Sequence, residues 1–365
     1  MKVLFLSNIP SPYRIAFFNE LGKLCDLTVV FEGRKATDRN SKWKYEEIVN
    51  FKCLFLKGIR TKSDQFFCPE IIKILKETYN HIIIGGYSTP TGMLAIEYLK
   101  LKKRKFFIEA DGGVIRNDNK LKYSIKRHFI SSADAWFSSG RKTTEYLVHY
   151  GAVEERVFIY PFTSLKNVDI LSAVPQIHEK NKLRNELGMK EKYIVVGVGR
   201  FIECKGFDIL LKATIKLNKE IGIYIIGDKP TKEYLDIQKK YSLKNVHFIN
   251  FMSKEKLSSY YRAADIFVLP TRGDVWGLVI NEAMANGLPI ITTNQCVAGI
   301  ELVKDGENGY ILPVDDIDEL TKHIELVFNK DIRKMGEESL KIISYYTLEH
   351  MAQRHYEVLE ALKEG

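Results

Sequence analysis

Short apolar runs alternate along the whole chain with longer stretches in which apolar positions recur at helical spacing. In the first half, Lys2–Ser7, Leu27–Glu32, His81–Gly85, Phe106–Glu109, Ala135–Ser138 and Val157–Tyr160 read as strands. Tyr13–Leu24, Pro69–Thr78, Thr91–Leu101, Lys120–Ser131 and Arg141–Tyr150 read as helices between them. Strands that are apolar at consecutive positions, each followed by a helix, are what a parallel sheet covered on both faces requires. The alternation lapses in a polar stretch without strand signal, and an interdomain connection is expected over residues 166–190. It then resumes, with strands near Tyr193, Gly222, Val246, Ile266 and Pro289. The segment Thr347–Lys363 follows the Ser344-Tyr345-Tyr346 break as an amphipathic helix. The expected fold class is α/β: two Rossmann-like parallel-sheet domains, 1–165 and 191–346, facing a central cleft, with a last helix over 347–365.

A length of 365 residues suits two cores better than one, and 45% hydrophobic with 28% charged residues is ordinary globular composition. Cys25, Cys53, Cys68, Cys204 and Cys296 have neither disulfide nor metal spacing. The opening MKVLFLSNIPSPYR is too short in its apolar run for a signal peptide, and no stretch has transmembrane length. A cytoplasmic protein is therefore expected. Charge is unevenly divided, with 27 Lys and Arg against 17 Asp and Glu through Ser164, and 28 against 29 beyond it. Lys102, Lys103, Arg104 and Lys105 form one basic cluster. Arg116, Lys120, Lys122, Lys126 and Arg127 form another, interleaved with Leu121, Tyr123, Ile125, Phe129 and Ile130. That second cluster reads equally as a basic amphipathic helix lying on an anionic membrane, at the inner face of the plasma membrane, and as a surface helix with a core-facing stripe. Nucleic acid is not expected as a partner, since no binding motif accompanies the charge.

Two segments carry candidate chemistry. Ile266–Pro270 (IFVLP) is a strand; Val275–Asn286 has helical periodicity and stops at Asn286-Gly287 before Pro289. Asp274 thus stands at a strand end ahead of a helix, and Glu282 about two turns inside it. Either acid alone reads as a helix-start or solvated residue. The second segment, Tyr193–Gly199 (YIVVGVG), is a buried strand ending in glycines, followed by Arg200, Lys205 and Gly206 and then a helix over Phe207–Asn218. Two cations beside the open N–H groups of a helix start are what a diphosphate needs.

Together, VGVGRFIECKG and DVWGLVINEAMANGLPIITT resemble the nucleotide-binding half of the retaining glycosyltransferases of family four, which have the GT-B fold. The resemblance implies that Arg200 and Lys205 hold the donor diphosphate, that Glu282 takes the ribose hydroxyls and that Asp274 faces the transferred sugar. Gly277, Leu278 and Val279 are expected to line the donor. Asp274 departs from the Glu usual in the family and is one methylene shorter. In the first domain the acceptor is expected at strand-end loops: Asn8–Arg14, with Asn8, Tyr13 and Arg14; Gly85–Thr91, with Gly86 and Tyr87; and Glu109–Gly113. The family often carries a His after this last strand. No His occurs between His81 and His128, so Glu109 or Asp111 is expected to serve there.

Glycosyl transfer builds negative charge on the leaving diphosphate, which Arg200, Lys205 and the following helix start would stabilise without a metal. Asp316-Ile317-Asp318 lies in an acidic helix start and is given no metal, and no cofactor is expected beyond the nucleotide-sugar donor. The implied activity is retaining transfer of a hexosyl unit, from a UDP-sugar for preference, to a glycan or lipid-linked acceptor in cell-surface polysaccharide synthesis. A UDP-sugar epimerase of the same fold and a non-catalytic nucleotide-sugar-binding protein are the alternatives.

Overall fold

The computed structural model describes residues 1–35 and 47–362, so residues 363–365, the end of the expected C-terminal helix, lie outside the described residues. The chain divides into two compact units: Met1–Ser164 with Thr347–Gly365, and Leu165–Tyr346.

The first unit runs β1 (Lys2–Ser7), α1 (Pro12–Leu21), β2 (Asp26–Phe31), β3 (Lys52–Phe55), the two-residue strands β4 (Ile59–Arg60) and β5 (Phe66–Phe67), and α2 (Ile71–Ile74). It continues with β6 (His81–Ile84), α3 (Pro90–Leu101), β7 (Phe107–Ala110), α4 (Lys120–Ile130), β8 (Ala135–Ser138), α5 (Arg141–His149) and β9 (Val157–Ile159). The second unit runs α6 (Ile177–Leu187), β10 (Tyr193–Val198), α7 (Phe207–Thr214), β11 (Ile221–Gly227), α8 (Lys232–Lys240), β12 (Val246–Asn250), α9 (Lys254–Ala263) and β13 (Ile266–Leu269). It ends with α10 (Leu278–Ala285), β14 (Ile290–Thr293), α11 (Val297–Leu302), β15 (Gly309–Leu312), α12 (Ile317–Phe328) and α13 (Ile332–Ile343). The chain then returns to the first unit as α14 (Leu348–Ala361).

Among the described residues, seven strands form the first sheet in the order β3-β2-β1-β6-β7-β8-β9, and six form the second as β12-β11-β10-β13-β14-β15. All the pairings within these two sheets are parallel. Each sheet grows outward from its first strand in both directions. The direction of winding therefore reverses between β1 and β6 in one sheet and between β10 and β13 in the other. Beyond such reversals the flanking loops part and leave a crevice at the carboxyl ends of the strands, where open α/β sheets bind ligands.

The central strands are continuously apolar because helices cover both faces: Val3, Leu4, Phe5 and Leu6 in β1, and Ile194, Val195 and Val196 in β10, are fully buried. Phe5 packs edge-on to Phe18 at 4.8 Å between ring centroids, so α1 is seated on β1 by aromatic contact. Thr347 caps α14, accepting from the His350 N–H. The stripe Leu348, Met351, Ala352, His355, Val358 and Leu359 is buried, with α14 packed on α1.

Several boundaries differ from those expected. Residues 166–190 are not a bare connection: they belong to the second unit and contain α6. Its inner face is cationic rather than apolar, which conceals it from a search for hydrophobic periodicity. Arg184 donates to Asp265 Oδ2 at 2.7 Å, and Lys180 donates to the Ala264 carbonyl at 2.8 Å and to Asp265 Oδ1 at 3.3 Å. The helix expected over Pro69–Thr78 shrinks to Ile71–Ile74, and β3 and β15 are strands beyond those expected. The four-residue β3 sits at the sheet edge, and only half-buried side chains mark it in sequence. Helix α10 starts at Leu278, so Glu282 lies about one turn inside it rather than two.

Candidate functional site

The crevice of the second sheet opens after Val198 of β10 and Leu269 of β13. Beyond β10 the chain passes exposed Arg200, makes a 3-10 turn over Glu203–Lys205, and enters α7 through Gly206. Gly206 has φ +68°, and a Cβ there would stand 1.9 Å from the Pro270 carbonyl oxygen, so only glycine lets the turn close on the neighbouring loop. Beyond β13 the chain runs Pro270–Gly277 before α10. Asp274 is held in place by its backbone: its N–H donates to the Gln295 carbonyl at 2.9 Å, and its carbonyl accepts from Val297 N–H at 3.2 Å.

The two loops bring Lys205 and Asp274 together. The Lys205 ammonium donates to Asp274 Oδ2, and both side chains are largely buried. The cation expected at the diphosphate and the acid expected at the sugar thus form one ion pair at the sheet's reversal point. Gly277, at φ +101°, begins α10; a Cβ there would lie 2.8 Å from Cys296 Sγ. Trp276 is buried and its indole N–H donates to Asn281 Oδ1 at 2.9 Å, while Leu278 and Val279 are half-buried at the helix start. Glu282, on α10, accepts from the Tyr261 hydroxyl at 3.1 Å. Burial pushes its carboxyl above the ordinary range, against that hydrogen bond.

In the first unit, the expected acceptor residues divide into two groups. Arg14 is 4% exposed, and its guanidinium donates to Glu109 with one nitrogen and to Asp111 with another. Glu109 also accepts from His355 Nε2 at 2.9 Å, while His355 Nδ1 faces the Met351 carbonyl at 2.8 Å. Burial would raise the Glu109 carboxyl, but the Arg14 charge and the His355 hydrogen bond outweigh it and hold the group down at about 2. This corrects the expectation for Glu109 and Arg14. Both are sealed in a buried network that fastens α14 to β7 and α1, out of reach of a substrate.

Asp111 and Tyr13 remain half-exposed at its rim, with Tyr13 and Tyr160 hydroxyls donating to Asp111 at 3.2 and 3.0 Å. Burial, with the Glu109 charge adding to it, raises the Asp111 carboxyl. Half-buried Asn8 donates to Asp64 at 3.1 Å, and Tyr87 hydrogen-bonds Tyr146 through their hydroxyls. Gly86 precedes Tyr87 on the loop leaving β6, at the β1–β6 reversal, and a Cβ there would stand 3.3 Å from Thr89 Cγ2.

Glu32, which follows β2, is 1% exposed and accepts from the Thr89 hydroxyl and from the Phe66 N–H at 3.4 Å. Burial pushes its carboxyl up to about 7. Neither Glu32 nor His355 was singled out in the sequence. The partner of His355 lies 246 residues away, and no local spacing announces such a pair.

The basic helix α4 turns Ile130 into the core, with half-buried Tyr123 and Phe129 packed against it. Lys122 and Lys126 both pair with Asp118, at 2.9 and 2.7 Å. Leu121 and Ile125 point to solvent rather than to the core, at 72% and 42% exposed.

Two parallel-sheet α/β units of this topology make a GT-B fold. The chain superposes on Anabaena HepE, solved in complex with UDP, with a TM-score of 0.79 over 99% of this chain and all of that one, at 16% identity. Residues 179–348, which include both strand-end loops of the second sheet, match the family described as Glycosyl transferases group 1. An uncharacterized glycosyltransferase of Haemophilus influenzae is 34% identical over 151 residues, covering 40% of this chain and 42% of its own length. The sulfoquinovosyl transferase of Arabidopsis thaliana is 30% identical over 176 residues, 47% of this chain and 34% of the relative. The chain thus spans less than half the length of these two relatives.

Proposed function

We propose that this protein is a retaining, metal-independent hexosyltransferase that takes its sugar from a nucleotide diphosphate, with UDP favoured, and passes it to a glycan or lipid-linked acceptor of cell-surface polysaccharide. The observation that carries this reading is the Lys205–Asp274 pair at the reversal point of the second sheet, inside the segment matched to the group 1 glycosyltransferases. UDP is favoured because HepE, with a similar fold, was solved with it.

In this reading the first part of the reaction is a charge problem. As the glycosidic bond breaks, the sugar becomes oxocarbenium-like and the departing diphosphate gains negative charge. Arg200, Lys205 and the N–H groups opening α7 supply positive potential there. The diphosphate draws the Lys205 ammonium into a shared position between phosphate and Asp274. The Asp274 carboxylate then faces the sugar hydroxyls. Glu282 holds the ribose, and its carboxyl, raised by burial, serves as a hydrogen-bonding partner. Tyr13, Asp111, Asn8, Gly86 and Tyr87 are assigned to the acceptor, with Asp111 as the group nearest in chemistry to a proton acceptor.

The reading extends to a membrane. Leu121 and Ile125, exposed beside Lys120, would enter the headgroup region of an anionic bilayer. Sedimentation with phosphatidylglycerol vesicles should carry the protein down at low salt, and Leu121→Asp should abolish it. No sedimentation above that with phosphatidylcholine vesicles would remove the membrane from the proposal.

The transfer itself is tested with radiolabelled UDP-sugars, incubated with and without membrane-extracted lipid-linked glycans. Label moving to the glycan only when both are present supports a transferase. Interconversion of the sugar without acceptor supports an epimerase, and binding without either supports a sensor.

A further inference from the structure

Arg272, on the loop leaving β13, takes no part in the chemistry described so far, yet its guanidinium is engaged on every side. Two of its nitrogens donate to the two carboxylate oxygens of Asp208, each at 2.9 Å, and Nε donates to Asp315 Oδ1 at 2.7 Å. Nη1 also donates to the Glu203 carbonyl at 2.6 Å, while the Arg272 backbone N–H donates to the Cys204 carbonyl at 2.7 Å. The neighbouring Thr271 hydroxyl donates to that same Cys204 carbonyl at 2.7 Å. Three donors from two adjacent residues therefore grip two consecutive carbonyls, and those carbonyls immediately precede Lys205. On its other side Lys205 is followed by Gly206, pressed against the Pro270 carbonyl.

We propose that Arg272 is a positioning residue for the donor diphosphate: its planar fork sets the Glu203–Gly206 turn, and through it the place of the Lys205 ammonium. This rests on the reading of Lys205 as a phosphate-binding cation. A surface ion pair of ordinary strength would not do this, because long exposed side chains rarely hold one geometry. Here the fork is bidentate on a nearly buried carboxylate, with Arg272 and Asp208 side chains 23% and 9% exposed, which fixes direction as well as distance. Lysine at this position would keep the charge but could meet only part of this partner set.

The alternative is that Arg272 merely anchors the start of α7 or adds long-range positive potential. Calorimetric titration of UDP and of uridine into wild type, Arg272→Lys, Arg272→Gln, Lys205→Ala and the Lys205→Ala/Arg272→Lys double variant separates these. The expected result is about a tenfold loss of UDP affinity in both Arg272 variants, with uridine changed less than about twofold. In the Lys205→Ala background, Arg272→Lys should change UDP affinity by less than about twofold, because the effect passes through Lys205. Thr271→Val, which removes one hydroxyl grip and keeps the side-chain shape, is read where Arg272→Gln does not fold. It should lose UDP affinity about threefold with uridine unchanged. Wild-type UDP affinity in folded Arg272→Lys, or an undiminished loss in the Lys205→Ala background, overturns the proposal. Unchanged UDP affinity in Lys205→Ala alone overturns the phosphate-site reading itself, and this proposal with it.

Discussion

At the scale of single residues, Asp274 and Glu282 are the two acids whose roles must differ if the site is as described. Asp274 is paired with Lys205, whereas Glu282 meets Tyr261 on the α9 side of its helix. Neutralising Asp274 removes an anion from beside the diphosphate and leaves the Lys205 ammonium uncommitted. Asp274→Asn should therefore keep UDP affinity at or above that of wild type while turnover falls steeply, since the lost partner belongs to the transferred sugar. Glu282→Gln should weaken UDP and UDP-sugar alike, because the ribose is common to both. Calorimetry with UDP, paired with steady-state rates, measures both quantities. Normal turnover in Asp274→Asn would make that residue a helix-start acid and nothing more. The reach of Asp, one methylene shorter than Glu, is enough for it to touch Lys205.

At the scale of elements, Glu32 joins the end of β2 to the cap of α3 and to β5. Thr89 donates to it while also accepting from the Gly92 N–H at 2.9 Å, and Phe66 contributes its backbone N–H. Burial pushes its carboxyl up to about 7 in the folded chain, from an ordinary value of 4.5. A raised folded value means that the native state holds this proton more tightly. The associated stability is complete below the unfolded value and is lost as pH rises through about 7. Glu32→Gln mimics the neutral carboxyl, so it should gain on wild type by a few kcal/mol, an order of magnitude only, as pH rises across that window. Urea unfolding of both proteins at each end of the window checks this, and a difference independent of pH would contradict it.

The elements themselves were largely legible in the sequence. β1 and β8 fall on the expected residues because both are continuous apolar runs bounded by turn residues, and the Gly-terminated β10 announces its own loop. What stayed hidden is held by polar contacts between distant segments. α6 turns Lys180 and Arg184 inward, where hydrophobic periodicity cannot register them, and Glu109 looked accessible because nothing nearby in sequence signals Arg14 or His355. The candidate site divides in the same way. Lys205 and Asp274 stand out in the sequence by their places at strand ends, while Arg272, which grips the turn that carries Lys205, reads in sequence as one more surface arginine.

At the scale of the molecule, two parallel sheets with reversal points divide the labour: the proposal assigns the donor to the second unit and the acceptor to the first. In that proposal cationic side chains and a helix start take the place a divalent ion holds in other transferases, so turnover should persist in EDTA. Activity abolished by EDTA and restored by Mg²⁺ would show that the leaving group is neutralised otherwise. The measurement closest to the central claim is titration of the full chain and of its Arg200→Ala and Lys205→Ala variants with UDP and, separately, with uridine. Each variant should lose affinity for UDP by roughly tenfold or more while binding uridine as wild type does, the selective loss expected when a charge-assisted phosphate contact is removed. UDP affinity unchanged in both variants would contradict the account, because the strand-end cations would then not be where the diphosphate binds.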